Sequence, residues 1–156
     1  MSGSIVHQGS QQVGAQRVAV VAARFNDAIV SQLVAGAERA WRKAGGKSGA
    51  LELVRVPGAF ELPVAARRLA FAGQFSAIVA LGCVVRGDTP HFDFVAGECA
   101  RGLMQVSLET GVPVIFGVLT TETFAQAEER AAIDRLDKGG EAMLAALEMA
   151  NLLSRW

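Results

Sequence analysis

Cysteine is scarce: only Cys83 and Cys99 occur among the 156 residues. Neither belongs to a zinc-type pair, and two thiols make no disulfide framework. A bridge-stapled secreted scaffold is therefore excluded, and a reducing cytoplasm is the expected compartment. An excess of charge of either sign is missing as well. Lys+Arg and Asp+Glu both number 15, which removes the basic footprint of a nucleic-acid binder. No apolar run reaches the length that crosses a bilayer. Residues 1–14 are polar and glycine-rich, without the apolar centre of a signal peptide. Gly82 and Gly87 form neither a phosphate-loop NTPase pattern nor a dinucleotide fingerprint, and no Gly-Lys-Ser or Gly-Lys-Thr occurs. His91 and Asp93 stand two apart in a helical pattern and share no face, so no metal-ligand set emerges. Nothing marks an internal repeat or a second domain.

Apolar residues, by contrast, are plentiful. The chain is 51% hydrophobic and 19% charged, an excess for a small domain with much surface per volume, which points to burial between subunits. Four β-branched-rich runs, Val18–Ala23, Leu51–Val56, Ala77–Val85 and residues 113–119, alternate with helical patterns. Asn26 is positioned to cap a helix that carries Val30, Leu33, Val34, Ala37 and Trp41 on one face and stops at Gly45-Gly46. A second helix is expected over residues 60–72. A third has Phe92, Val95, Cys99, Leu103 and Val106 at helical spacing and stops at Gly111. Thr123 with Gln126 three residues on has the form of a capping box and opens a fourth, and Gly139-Gly140 precedes a fifth. This alternation predicts an α/β fold: a three-layer sandwich with a four-stranded parallel sheet and helices on both faces. Residues 4–8 have the composition of a short extra strand, but no local segment gives them a partner.

Ligands of open parallel sheets bind beyond the carboxyl ends of the strands. There the sequence places Arg24-Phe25-Asn26, residues 57–61, residues 86–91 and residues 120–123. The third is the most informative. Its polar loop ends in Thr89-Pro90, read as a helix cap and first helical residue. A helix N-terminus with unpaired N–H groups favours an anion. His91, one residue into the helix, supplies an imidazole suited to shuttling protons. Phe25 either fills the core or offers a flat apolar face for a heteroaromatic ring. Glu61 is either a first-turn acid or an acceptor for ligand hydroxyls. Arg86 and Arg130 read locally as salt-bridging surface arginines, and His7 as solvated.

Five segments taken together resemble the lumazine synthase family: Arg24-Phe25-Asn26; Val56-Pro57-Gly58-Ala59-Phe60-Glu61-Leu62-Pro63; the run from Gly82-Cys83-Val84-Val85-Arg86 through Gly87-Asp88-Thr89-Pro90-His91-Phe92-Asp93; Phe116-Gly117-Val118-Leu119-Thr120; and Gln126-Ala127-Glu128-Glu129-Arg130-Ala131. They occur in one order over nearly the whole chain. The resemblance implies a flavodoxin-like sheet and a transferase. Its reaction condenses 5-amino-6-(D-ribitylamino)uracil with 3,4-dihydroxy-2-butanone 4-phosphate to 6,7-dimethyl-8-ribityllumazine, phosphate and water, the penultimate step of riboflavin biosynthesis. It implies no metal and no organic cofactor.

Carried over by position, the resemblance makes Phe25 a platform for the pyrimidine. Ala59, Phe60 and Glu61 line the ribityl side, and Cys83, Val84 and Val85 offer backbone groups to the pyrimidine edge. Asp88, Thr89 and Arg130 hold the phosphate, His91 moves protons, and Phe116 closes the ring pocket from a neighbouring subunit. Asn26 and Lys138 are further candidates. The implied partners are the two small substrates and other copies of the chain: a ring of five, in many members twelve rings in a sixty-subunit shell. Riboflavin synthase is a further candidate partner. Residues 1–14 then read as an arm toward a neighbouring subunit and residues 15–156 as one lumazine-synthase-like domain. Residues 131–137 depart from the family pattern, lacking its glycines, so the turn there is expected to differ. The competing readings are a paralogue or shell with no turnover, and a generic flavodoxin-like phosphate binder.

Overall fold

Each of the four apolar runs is a strand of one parallel sheet. In the computed structural model, which describes residues 3–156, β1 spans Val18–Ala23, β2 Leu51–Val56, β3 Ala77–Val85 and β4 Val114–Thr121. Met1 and Ser2, the start of the expected arm, lie outside the described residues. The spatial order is β2-β1-β3-β4. β1 is buried along its whole length and divides its side chains by strict alternation. Val18, Val20 and Ala22 enter one core and Ala19, Val21 and Ala23 the other, as a strand covered on both faces must. Helices α1 (Asp27–Lys43), α4 (Phe124–Ala131) and α5 (Lys138–Leu153) cover the first face, and α2 (Leu62–Phe71) and α3 (His91–Thr110) the second. The chain is thus the three-layer, flavodoxin-like sandwich that the alternation predicts.

Four local expectations need correction. The second helix does not begin at Phe60. Residues Ala59–Glu61 make a single 3-10 turn, and α2 starts at Leu62 with Pro63 in its first turn. A helix begun at Phe60 would require Pro63 to donate an N–H that proline lacks. β4 runs past Leu119 because Thr120 and Thr121 continue the pairing with Val84 and Val85. Pro90, rather than Thr89, takes the cap position of α3, and no side chain caps that helix. Gly139 and Gly140 lie inside the first turn of α5, both buried. A Cβ on Gly139 would meet the Leu33 carbonyl oxygen at 2.0 Å, and one on Gly140 would meet the Asp137 carboxylate at 2.4 Å. Gly139 serves the approach of α5 to α1, and Gly140 makes room for the Asp137 cap of α5.

Residues 131–137 close on themselves by backbone bonds from Arg135 and Asp137 N–H to the Ala132 carbonyl, both 3.0 Å. Asp137 adopts the left-handed conformation (φ 42°), and its carboxylate accepts from Gly140 N–H at 3.1 Å, capping α5. Asp is among the few side chains that visit this region routinely. The capping box of α4 is present in both halves, Thr123 with Gln126. Residues 4–8 form no strand within the chain, and Ile5 and Val6 stay exposed.

Candidate active site

The strand order reverses between β1 and β3, and a cleft of about 670 Å³ opens there at their carboxyl ends. Its walls come from four places that parallel pairing holds at one level. Beyond β1, the N–H groups of Arg24 and Phe25 still donate to the carbonyls of Val56 and Pro57, at 2.8 and 3.0 Å. Those bonds fix Phe25 at the mouth, where its ring is 70% exposed. The chain then turns through Asn26 in the left-handed conformation (φ 59°). Asn26 does not cap α1 with its side chain. Its Nδ2 instead donates to the Cys83 carbonyl at 2.9 Å and ties the end of β1 to β3.

Ala59, Phe60 and Glu61 of the 3-10 turn form a second wall, with Ala59 buried and Phe60 61% exposed. β3 outruns β1: its pairing with β1 ends at Leu81, while its pairing with β4 continues to Val85. The edge of Cys83, Val84 and Val85 on the β1 side is therefore turned to the cleft, which all three line. Burial pushes the Cys83 thiol up to about 11, so it is a neutral, packed group rather than a nucleophile at neutral pH. Gly87 and Thr89 of the following loop and His91 at the start of α3 complete the rim, and exposed Asp88 stands between the two loop residues. The His91 N–H lies 3.4 Å from Thr89 Oγ1, a marginal bond.

Phe116, Arg130 and Lys138 are not in this cleft. They line a second groove, of about 350 Å³, along the outer edge of β4 together with Thr120 and Glu141. Phe116 pairs with Ala80, three residues before Cys83, which places it roughly 10 Å back along the sheet. Arg130 Nη1 donates to the Gln126 carbonyl at 3.0 Å, and Lys138 Nζ pairs with Glu141 at 2.9 Å.

The sequence model of the family described as 6,7-dimethyl-8-ribityllumazine synthase matches residues 15–154. The chain belongs to this family. It is a transferase of riboflavin biosynthesis, and its reaction joins 5-amino-6-(D-ribitylamino)uracil to 3,4-dihydroxy-2-butanone 4-phosphate, forming 6,7-dimethyl-8-ribityllumazine. The substrates are small molecules, and no helix among the described residues is long and apolar enough to cross a membrane.

Sequence reasoning missed part of the cleft of this lumazine synthase. Phe92 and Val95 have the spacing of a core face, yet both line the cleft, while Cys99, Leu103 and Val106 below them are buried. The core face of α3 tilts into the site over its first turn. Phe94 also lines the cleft, with 69% of its surface exposed. Its only sequence signal is an aromatic residue three positions after His91.

Proposed function

We propose that one chain supplies the cleft and a neighbouring copy supplies the groove, so that each complete active site lies between two subunits. The carrying observation is chemical. The butanone substrate brings a phosphate, yet no lysine or arginine lines the cleft, whereas Arg130 and Lys138 sit beside Phe116 in the groove. The uncapped N-terminus of α3 favours an anion but balances only about half a charge. A phosphate at neutral pH needs more.

In this reading Phe25 stacks on the pyrimidine, whose edge meets the backbone of Cys83, Val84 and Val85. Asn26 already occupies the Cys83 carbonyl, so it sets which backbone groups remain for the ligand. Ala59, Phe60 and Glu61 take the ribityl chain, with Glu61 accepting from its hydroxyls. Asp88 and Thr89 hold the phosphate from the loop. Arg130 of the neighbour clamps it with a planar fork, Lys138 adds charge, and Phe116 closes over the ring. His91 carries protons during imine formation, phosphate elimination and ring closure, and proximity does much of the rest.

Three further features support assembly. Phe94, Met104 and Leu108 form an exposed apolar row along α3. β2 is an edge strand whose outer side pairs with no strand among the described residues, and Ile5 and Val6 of the N-terminal segment are exposed. The arm adding a strand to a neighbour's sheet answers both. A ring of five is the assembly proposed on the family resemblance, a sixty-subunit shell is the larger form of the same proposal, and riboflavin synthase, which would consume the product, is the proposed partner enzyme. Two buried free thiols suit a reducing cytoplasm.

Co-assembly tests the composite site. His91→Ala and Arg130→Ala are each expected to be impaired alone, and mixed oligomers are expected to regain activity because some sites then hold both intact halves. Mixed oligomers that stay at the level of the parents would place both residues in one chain's site and end this reading. Light scattering at micromolar concentration checks the assembly, and an active monomer would contradict it.

A further inference from the structure

We infer that Arg86 is a positioning residue that sets the phosphate loop, residues 87–90, against the first turn of α3. This rests on the reading above that the loop holds the substrate phosphate. Arg86 directly follows β3, and its N–H donates to the Thr121 carbonyl at 2.9 Å, extending the pairing with β4. Its side chain then joins three elements. Nε lies 2.9 and 3.1 Å from the two carboxylate oxygens of Glu122, just beyond β4. Nη1 lies 3.4 Å from Asp93 Oδ1, in the first turn of α3. The guanidinium carbon sits 4.3 Å from the centroid of the Phe92 ring, a cleft-lining residue.

Arg86 and Asp93 therefore approach each other from the two ends of the loop, and a shift of the loop would part them. The Glu122 backbone is itself held, since its N–H donates at 2.9 Å to Oε1 of Gln126, the capping-box residue of α4. Gln126 in turn accepts from Arg130 through its carbonyl. The same clasp that seats the loop thus reaches the helix that presents Arg130 in the groove.

The geometry also says what Arg86 is not. Two carboxylates face one guanidinium, whose carbon sits over the Phe92 ring, so Nε and Nη1 are engaged within the protein. The Glu122 hydrogen bond holds its pKa above the ordinary value. A residue so engaged orients the loop without binding the anion. Lysine cannot replace it, because the task needs two directed N–H groups and a flat face.

Steady-state kinetics of lumazine formation by the assembled enzyme, with each substrate varied in turn, tests this assignment. Arg86→Gln and Arg86→Lys are both expected to raise KM for the butanone phosphate on the order of tenfold, within the roughly 10²-fold that a 1 Å misplacement costs. KM for the pyrimidine and the melting temperature should move little. Glu122→Gln and Asp93→Asn should shift the same KM in the same direction, since they remove the anchors. If those two variants lower it instead, Arg86 has been freed to bind phosphate directly and the positioning role is overturned. Full activity in Arg86→Lys, or equal effects on both substrates with a falling melting temperature, overturns it as well. Thr89→Ala separates this idea from its premise. No change in that variant removes the phosphate-loop reading together with the clasp. A raised KM in Thr89→Ala beside an unaffected Arg86→Gln removes the clasp alone.

Discussion

The cleft over β1 and β3 carries four phenylalanines, a histidine and a glutamate but no lysine or arginine, whereas the groove along β4 carries a single phenylalanine with Arg130 and Lys138. The cleft is made at the ends of strands, where turns and helix starts expose backbone polar groups. The groove is made along the flank of an edge strand by side chains of α4 and α5. Each lacks what the other holds. In the proposed reading a planar ring and a phosphate are served together where both surfaces meet, and within one chain β3 and β4 keep those surfaces apart. On that proposal a second subunit supplies the cations that the cleft lacks.

The largest effect that would sharpen this contrast is expected at His91, on the cleft side. Proton transfer by a positioned group is worth about 10²–10⁴-fold, and the reactive aminopyrimidine places this reaction at the low end or below. His91→Ala should lower kcat by up to about 10²-fold while pyrimidine binding and fold persist. Wild-type turnover across neutral pH would remove His91 from the mechanism.

On the groove side, Arg130→Ala should raise KM for the butanone phosphate by about 10- to 100-fold, the worth of a hydrogen bond to a charged group of roughly 1.5–3 kcal/mol. The pyrimidine KM should change much less. Equal effects on both substrates would break the assignment of phosphate to the groove and return Arg130 to a surface role.

The aromatic pair gives a smaller and stricter test. Phe25→Ala and Phe116→Ala come from opposite regions, yet both should raise the pyrimidine KM, by about 2- to 12-fold each, since an aromatic stack is worth roughly 0.5–1.5 kcal/mol beyond its area. A response from Phe25 alone would leave the ring in the cleft and Phe116 outside the site.

The smallest effect lies behind the cleft. Arg55 of β2 hydrogen-bonds the Asp27 carboxylate at the start of α1, and chiefly for that reason the Asp27 pKa falls below its ordinary 3.8. A carboxyl whose folded pKa is depressed stabilises the fold above its unfolded value and loses that contribution as pH falls through the lower, folded one. Acid unfolding below about pH 4 should therefore be slightly less steep in Asp27→Asn than in the parent. The pair is exposed, so the difference should shrink in high salt. An identical acid limb in both proteins would show that the pair contributes nothing.

Local chemistry made much of the architecture legible. Three of the four strands begin and end where composition places them, because β-branched runs bounded by glycine, proline and polar residues are local signals. The stops at Gly45 and Gly111, and the end of the second helix before Gly73, correspond to positive φ at each of these glycines, a conformation that glycine adopts without steric cost. The capping box of Thr123 and Gln126 needs only residues three apart. The strand-end segments were equally visible, so most of the cleft was legible from Phe25, Glu61 and His91. Asn26 shows where locality fails. Its position at a helix start was right, but a carbonyl 57 residues away in β3 claims its side chain.

The sequence by itself determined the alternation of strands and helices, the family, and the residue types that a phosphate and a pyrimidine require, since period, turn chemistry and motif order are properties of neighbours in the chain. Tertiary structure decided the rest. Gly139 is a glycine because Leu33 of another helix presses on it, and Arg86 is a clasp because Glu122 and Asp93 converge on it from different elements. Arg130 is separated from His91 because β4 lies at the edge of the sheet. Those facts depend on which strands lie side by side, and contacts between distant segments arise only when the sheet has formed and the helices have packed on its two faces.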